Sequence, residues 1–345
     1  MDRHQLTRGL NEAINDGRVR SWSDACAYSL RAMNKPLPPA TDLVVRTALS
    51  SAAVAETFTS RVGSMILSGY DSEPDSTVEW VAEVPSINFL GSDLMAFDVA
   101  ARLEKLPRGG VAENATLGVQ SERIRIARYA GQLALDEQDI VNGSLVGVVD
   151  AAARELGAAA RRVKLDLLYA LLLSNPTLAD DATALFHADH GNLGSVTLTE
   201  DNLAAAWSAL AGQTLQDAKH GDSIHINLGP KFLIVNPLLA TVARKAARNL
   251  MLDDDQDLEV RVESRLGTKG VIDPNSDTIV EGSATSWLLA APQRPGLVVS
   301  GLNGSLRPTI RESDLTNGQW GKCFDAVVDI GAAALDFRPL YYSTT

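Results

Sequence analysis

Aromatic side chains make up only 5% of this 345-residue chain, so any core it builds must be filled by Leu, Val and Ala rather than by rings. Cysteine is equally scarce. Cys26 and Cys323 are the only two, too few for a disulfide framework, and a reducing compartment is the expectation. Positive charge is in deficit, with 31 Lys and Arg against 43 Asp and Glu and a formal net charge of −12. A reader of nucleic acid needs clustered cations to meet phosphate, and the only cluster of note lies between Arg102 and Arg128. Long apolar runs are absent as well. The longest, Leu165 to Leu173, contains Asp166 and is far too short to span a bilayer, so no membrane partner is expected. No apolar h-region follows Met1-Asp2-Arg3-His4, and no signal peptide is expected. Nor is there a Gly-x-Ser-x-Gly elbow, a phosphate loop, an internal repeat or a low-complexity tail.

What is present is an ordinary soluble composition, 45% hydrophobic with mean hydropathy −0.02, and enough length for a sizeable core and about two domains. The most informative stretch is Leu135 to Leu193. A short piece beginning at Leu135-Asp136 breaks at Asn142-Gly143-Ser144. Apolar residues then recur at steps of three and four from Leu145 through Val148, Val149, Leu156, Val163 and Leu167 to Leu171. That spacing predicts one helix over 145–173, roughly 43 Å long, with Asp136 capping the short piece and Ser144 the long one. Asn175-Pro176 ends it, and the loop Leu185-Phe186-His187-Ala188-Asp189-His190-Gly191-Asn192-Leu193 follows.

The long Ala- and Arg-rich helix, its Leu-Leu-Leu-Ser-Asn-Pro exit and this His-Gly-Asn-Leu loop resemble the major capsid proteins of tailed double-stranded-DNA phages. Within them the resemblance is to the branch of Mu-like head subunits and prohead protease–capsid fusions. It implies an α+β fold of the tailed-phage major capsid type, with an N-terminal arm over 1–77, the first strand of a peripheral domain over 78–96 and an extended E-loop hairpin over 97–131. The peripheral domain with its spine helix would follow over 132–198, an axial α/β domain over 199–303, and a C-terminal sheet of the peripheral domain over 304–345. The implied function is a structural head protein, not an enzyme, without cofactors. It would self-assemble as hexamers and pentamers into an icosahedral shell, the virion capsid, built in the cytoplasm of a bacterial host. Its partners would be further copies of itself, portal and other head proteins, and packaged double-stranded DNA held without sequence-specific binding. Some members crosslink an E-loop lysine to a neighbour's asparagine, for which Lys105 is the only donor in the hairpin.

The rest of the chain accords with that layout. Residues 1–70 are helical in pattern, interrupted at Asn34-Lys35-Pro36-Leu37-Pro38-Pro39, and show no obvious core of their own. Val78 to Pro85 alternates as a strand. A hairpin is expected with legs Asp98–Leu106 and Glu122–Tyr129, the second placing Arg123 and Arg125 on one face and Ile124 and Ile126 on the other. Such a hairpin is marginal alone and needs a partner surface. Arg102, Glu104, Lys105, Arg108, Arg123, Arg125 and Arg128 are therefore the candidates for intersubunit contact. Thr199 caps a helix with Leu203, Ala206, Trp207 and Leu210 inward, and Pro237 opens another over 238–250. Strands are expected at 231–235, 258–262, 278–280, 287–291 and 297–299. A longer one, Phe324–Phe337, should bend at Gly331.

One constellation competes with a structural role. His187, Asp189 and His190, with Asp180 and Asp181 upstream, contain the donors of a hydrolytic metal site. The histidines are only three positions apart in a loop, however, and no His-Glu-x-x-His helix exists, so the preferred reading is that these side chains tie the loop to backbone. A metal-dependent hydrolase, an encapsulin-like compartment and a head-completion protein are the alternatives to a phage shell.

Overall fold

The computed structural model describes residues 3–49, 52–97, 105, 106, 108, 119–136, 146–216, 222–250, 258–314 and 321–345. Two compact units are formed from interleaved segments. The first takes Met1–Pro74, Arg128–Val163 and Ser305–Asp329; the second takes Asp75–Ala127, Lys164–Gly304 and Ile330–Thr345. Seven α-helices are described: α1 Arg3–Asn15, α2 Trp22–Ala32, α3 Thr41–Leu49, α4 Ala52–Ser72, α5 Val146–Ser174, α6 Glu200–Ala211 and α7 Ala240–Leu250. The chain passes from one unit to the other within α5 and again within the strand Gly321–Ala334.

In the first unit α1 to α4 pack together, and the core they fill is shared with α5 and the C-terminal strand rather than being their own. Leu30, Val45, Val62 and Ile66 are fully buried and share one cluster with Val149 and Ala153 of α5 and with Phe324 and Ala326. The interruptions read as core-breaking in the sequence are turns between helices. Ser21 caps α2 by accepting from the Asp24 N–H at 3.1 Å, while the Asp24 carboxylate accepts from the Ser21 N–H at 3.2 Å, a reciprocal capping box. Helices α4 and α5 meet backbone to backbone through two glycines. A Cβ at Gly157 would lie 1.8 Å from the Ile66 carbonyl oxygen, and one at Gly69 2.0 Å from that of Arg154. Arg61 of α4 donates to Asp150 of α5 at 2.6 Å and to Asn11 of α1 at 2.8 Å. Strand Thr309–Asp314 pairs antiparallel with the first half of Gly321–Ala334, Thr309 opposite Val327 and Asp314 opposite Lys322. The strand Ala127–Asp136 pairs with the same long strand.

The helical stripe needs one correction of phase. Val148 is 61% exposed, and the buried line runs instead through Val149, Ala153, Gly157 and Ala160, with Leu156 partly buried against the first unit's core. Leu156 lies beside Ala326 and Val328 of the C-terminal strand, and Leu167 is buried. Asp136 ends a strand; the piece it was expected to cap, and Ser144, lie outside the described residues.

In the second unit Val81–Ser86 pairs parallel with Leu297–Leu302, Val81 opposite Leu297, and the latter pairs antiparallel with Ile330–Ala334. The strand expected at Val78 thus starts at Val81. The long strand continues through Gly331, opposite Ser300. The glycine is required there by a close approach, because a Cβ would sit 2.2 Å from the Arg125 carbonyl oxygen. A second sheet has the order Leu193–Gly194, Leu340–Ser343, Trp287–Ala290, Phe232–Val235, Glu259–Val262. Its strand Leu340–Ser343 comes from the segment assigned by sequence to the other sheet, a pairing that a boundary at 303/304 does not anticipate. Leu233, Val235, Trp287 and Leu289 pack against Leu203, Ala206 and Leu210 of α6 and the alanines 243, 246 and 247 of α7. The expected cap at Thr199 is present, accepting from the Asn202 N–H at 3.2 Å. Pro237 opens a short 3₁₀ turn capped by Asn236, and α7 follows it.

Candidate functional site

Two places carry the residues singled out by sequence: the hairpin and the loop beyond α5. The hairpin's return strand, Val119–Ile124, pairs antiparallel with Ser92–Phe97, Ser92 opposite Ile124 and Phe97 opposite Val119. Its described partner therefore lies earlier than the leg expected at 98–106, most of which lies outside the described residues, as do Arg102 and Glu104. The alternation holds. Ile124 and Ile126 are buried, while Arg123 and Arg125 are exposed. Ile124 is held by Leu94, Val298, Ala333 and Leu335, so the base of the hairpin finds the partner surface it needs in its own chain.

The cations divide by what they touch. Lys105, Arg108 and Arg125 are exposed. Arg123 donates from Nη2 to the Leu90 carbonyl at 3.3 Å and lies over the tight turn at Gly91, whose φ is +94°. Arg128 makes a two-pronged bridge to Asp329 at 2.7 and 2.9 Å, and those bonds hold its pKa above the ordinary arginine value. Glu122, not singled out by sequence, accepts from the Ala179 N–H. Burial pushes its carboxyl up, the Ala179 bond opposes this, and Asp180 and Asp181 push further the same way. No local pattern marks Glu122, because its partner is far along the chain.

The loop after α5 is a web of side chain to backbone bonds. Asn175 sits in the left-handed region at φ +49°, ends the helix, and both accepts from and donates to the Phe186 backbone at 2.7 and 3.0 Å. Asn192 accepts from the His187 N–H at 3.1 Å and donates to the carbonyls of Leu185 and Phe337 at 2.8 and 3.2 Å. His187 accepts at Nδ1 from the Asp189 N–H. His190 is buried and stacked on Phe337 at 3.8 Å, with Nε2 2.6 Å from an Asp181 oxygen and Nδ1 3.3 Å from the Leu185 carbonyl. Both ring nitrogens thus face acceptors of their own chain. Asp181 lies below the usual carboxylate range; its burial acts upward, and bonds from the Thr183 N–H and from His190 outweigh it. Gly191 turns the chain at φ +64°. Among the described residues no group of three or more His, Cys, Asp or Glu is arranged to hold a metal.

A buried charge network, also unmarked in the sequence, holds Lys164 of α5. Its Nζ lies 3.0 Å from Asp75 and 3.0 Å from Glu83. Nearby, Ser76 donates to Glu263 at 2.6 Å and lies 2.9 Å from the Tyr169 hydroxyl, and Arg265 bridges Asp166 and Glu263 at 2.5 and 3.0 Å.

No helix among the described residues is long and apolar enough to cross a membrane. The chain is similar to the capsid of cyanophage P-SCSP1u, with a TM-score of 0.52 at 9% identity over 77% of this chain and 86% of that one. It is also similar to the procapsid protein of bacteriophage JBD30 (TM-score 0.49, 12% identity, 86% and 76% covered) and to a virus-like particle from Pyrococcus furiosus (0.46, 13%, 83% and 99%). Those last two scores are too low to carry weight. No curated protein matches the sequence. The model of the family described as phage capsid protein matches residues 119–343, about two thirds of the chain. That span holds α5 to α7, the strands Gly321–Ala334 and Leu340–Ser343 and the web around Asn192, and by it the chain belongs to the phage capsid proteins, structural subunits of the virion shell.

Proposed function

We propose that copies of this chain form hexamers and pentamers that close an icosahedral shell around double-stranded phage DNA. The family match over 119–343 carries this reading. Residues 97–131 act as the E-loop that reaches a neighbouring subunit, and 1–77 as the N-terminal arm. The helix within 132–198 is the spine, 199–303 the axial domain, and 78–96 with 304–345 the peripheral sheet. Arg102, Glu104, Lys105, Arg108, Arg123 and Arg125 meet the neighbour, and Arg128 braces the return leg through Asp329. Many weak repeated contacts of this kind let subunits correct their register before the shell closes. The net charge of −12 suits a wall past which DNA moves without sticking. The portal and other head proteins complete the particle in the host cytoplasm, and the subunit performs no catalysis.

Electron microscopy of the purified protein tests this. Closed shells of uniform size are expected; small rings alone, under conditions spanning salt and pH, would defeat the reading. Removing Arg108 to Gly118 should leave folded subunits that do not close shells, and normal particles from that variant would remove the hairpin from the mechanism.

A further inference from the structure

Two exposed features of the second unit carry opposite charge, and their charged groups have no ion-pair partner among the described residues. The hairpin Val271–Asp273/Thr278–Val280 forms a two-stranded sheet of its own. Ile272 and Ile279 are directly opposite each other in it and are 56% and 64% exposed. A solvent-facing cross-strand isoleucine pair on an isolated hairpin is an anchor without a pocket. Around it the exposed charge is acidic on balance: Asp277 and Glu281 are exposed against Lys269 at the base of the hairpin, and Asp273 is spent on the turn, accepting from Asn275 and Ser276.

The second feature is the outer face of α7. Arg244, Lys245 and Arg248 are exposed, the helix contains no carboxylate, and none of the three cations has an ion-pair partner among the described residues. Leu238 and Val242 add apolar surface one turn apart, exposed at 74% and 44%. The inner face is fixed by its alanines against the sheet, so the cations have no freedom to turn inward.

We propose that the hairpin of one copy docks on the α7 face of the next, Ile272 and Ile279 against Leu238 and Val242, with the acidic rim over the three cations. This rests on the shell reading and deepens it by naming a contact within the capsomer. The charge complementarity selects a second copy as occupant, since the chain presents both halves of the contact. Two different faces meeting make a head-to-tail contact, which closes into rings when the rotation allows. Burying the apolar pairs supplies the holding energy, and the charges supply register and exclude the wrong face.

A mixing experiment reads the contact directly. One variant carries Arg244→Glu, Lys245→Glu and Arg248→Glu. The other carries Asp277→Asn, Thr278→Lys and Glu281→Lys, with Asn retained because position 277 has φ +55°. Each alone sets like charge against like and should lose about 100-fold or more in association. Their equimolar mixture should recover oligomers of alternating composition, resolved by native mass spectrometry. Circular dichroism and melting of each variant should match the unaltered protein, since none of the altered charges has an ion-pair partner among the described residues and only the exposed hydroxyl contact of Thr278 with Ser276 is lost. Oligomers from either variant alone at the unaltered protein's concentration would overturn the proposal. So would folded variants that stay monomeric when mixed, or a triple-Glu variant that sheds bound nucleic acid while still forming rings. Unaltered protein that forms rings without closed shells would defeat the shell reading and leave this contact standing; protein monomeric at all concentrations would defeat both.

Discussion

Replacing Gly157 by Ala pits two calculable effects against each other. In an open helix the change stabilises by about 1 kcal/mol, since Ala holds helical backbone at less entropic cost. Here the added Cβ would lie 1.8 Å from the Ile66 carbonyl oxygen, with Tyr70 N at 2.8 Å. An ordinary carbon to oxygen contact is about 3.3 Å, so α4 and α5 would have to part by about 1.5 Å. No rotamer change relieves a clash between a Cβ and backbone, and overpacking of this kind costs about 1–3 kcal/mol, here toward the upper end. Parting the helices also loosens the packing of Ile66, Val149 and Ala153. Sterics therefore win by about 2 kcal/mol, a fall of about 4–8 °C in melting temperature for a domain of this size. Gly147→Ala, on the same helix with nothing within 4 Å of the added carbon, is the control and should melt at or above the unaltered protein. Gly69→Ala meets the Arg154 carbonyl at 2.0 Å and should destabilise similarly. The double variant should lose less than the sum, because the first substitution has already opened the gap. Scanning calorimetry on unassembled subunits measures all four. Gly157→Ala melting level with Gly147→Ala would refute the close contact between α4 and α5.

Lys164→Met strands the buried Asp75 without its cation and should cost about 3–5 kcal/mol in urea unfolding. Asp75 is pushed up by burial, but Lys164 and the Thr77 hydrogen bonds outweigh this and hold it below its ordinary 3.8. Its stabilisation is thus complete above about pH 4 and is lost as pH falls through the lowered value. In Lys164→Met burial is left to dominate, so the urea midpoint should rise on acidification from neutrality where the unaltered protein's stays level; parallel profiles would sink the assignment. In the loop after α5, Gly191→Val should be more damaging to soluble yield than His190→Asn, because Asn still hydrogen-bonds whereas Val resists φ +64°. The reverse order, with about one metal ion per chain lost in the His190 variant by mass spectrometry, would restore the metal reading. Leu156→Ala should cost about 2–4 kcal/mol and lower soluble yield before it alters assembly, and a neutral result would mean its packing beside Ala326 and Val328 is misplaced.

Much that depends on near neighbours in the chain was legible in the residues, though the capping box at Ser21 and the strand Val271–Asp273 were not read there. The long helix follows from apolar spacing, the cap at Thr199 from one hydroxyl before Glu200, and the inward Ile124 and Ile126 from strand alternation. The loop of Asn192 and Gly191 was readable as a backbone-tying turn for the same reason. Tertiary structure alone decided which distant segments meet. The return strand of the hairpin pairs with Ser92–Phe97, where Leu94 and Ile124 share a core with Val298 and Leu335. Leu340–Ser343 joined the sheet of Trp287 because a strand's partner is set by the surface it covers, not by its neighbours in sequence. Nothing in the local sequence marks Gly69 and Gly157 as contact points between helices or Lys164 as a buried charge, and Val148 belonged by spacing to a stripe that turns away from it. Periodicity states that a face is apolar; only the folded chain supplies the surface that covers it, and with it the phase.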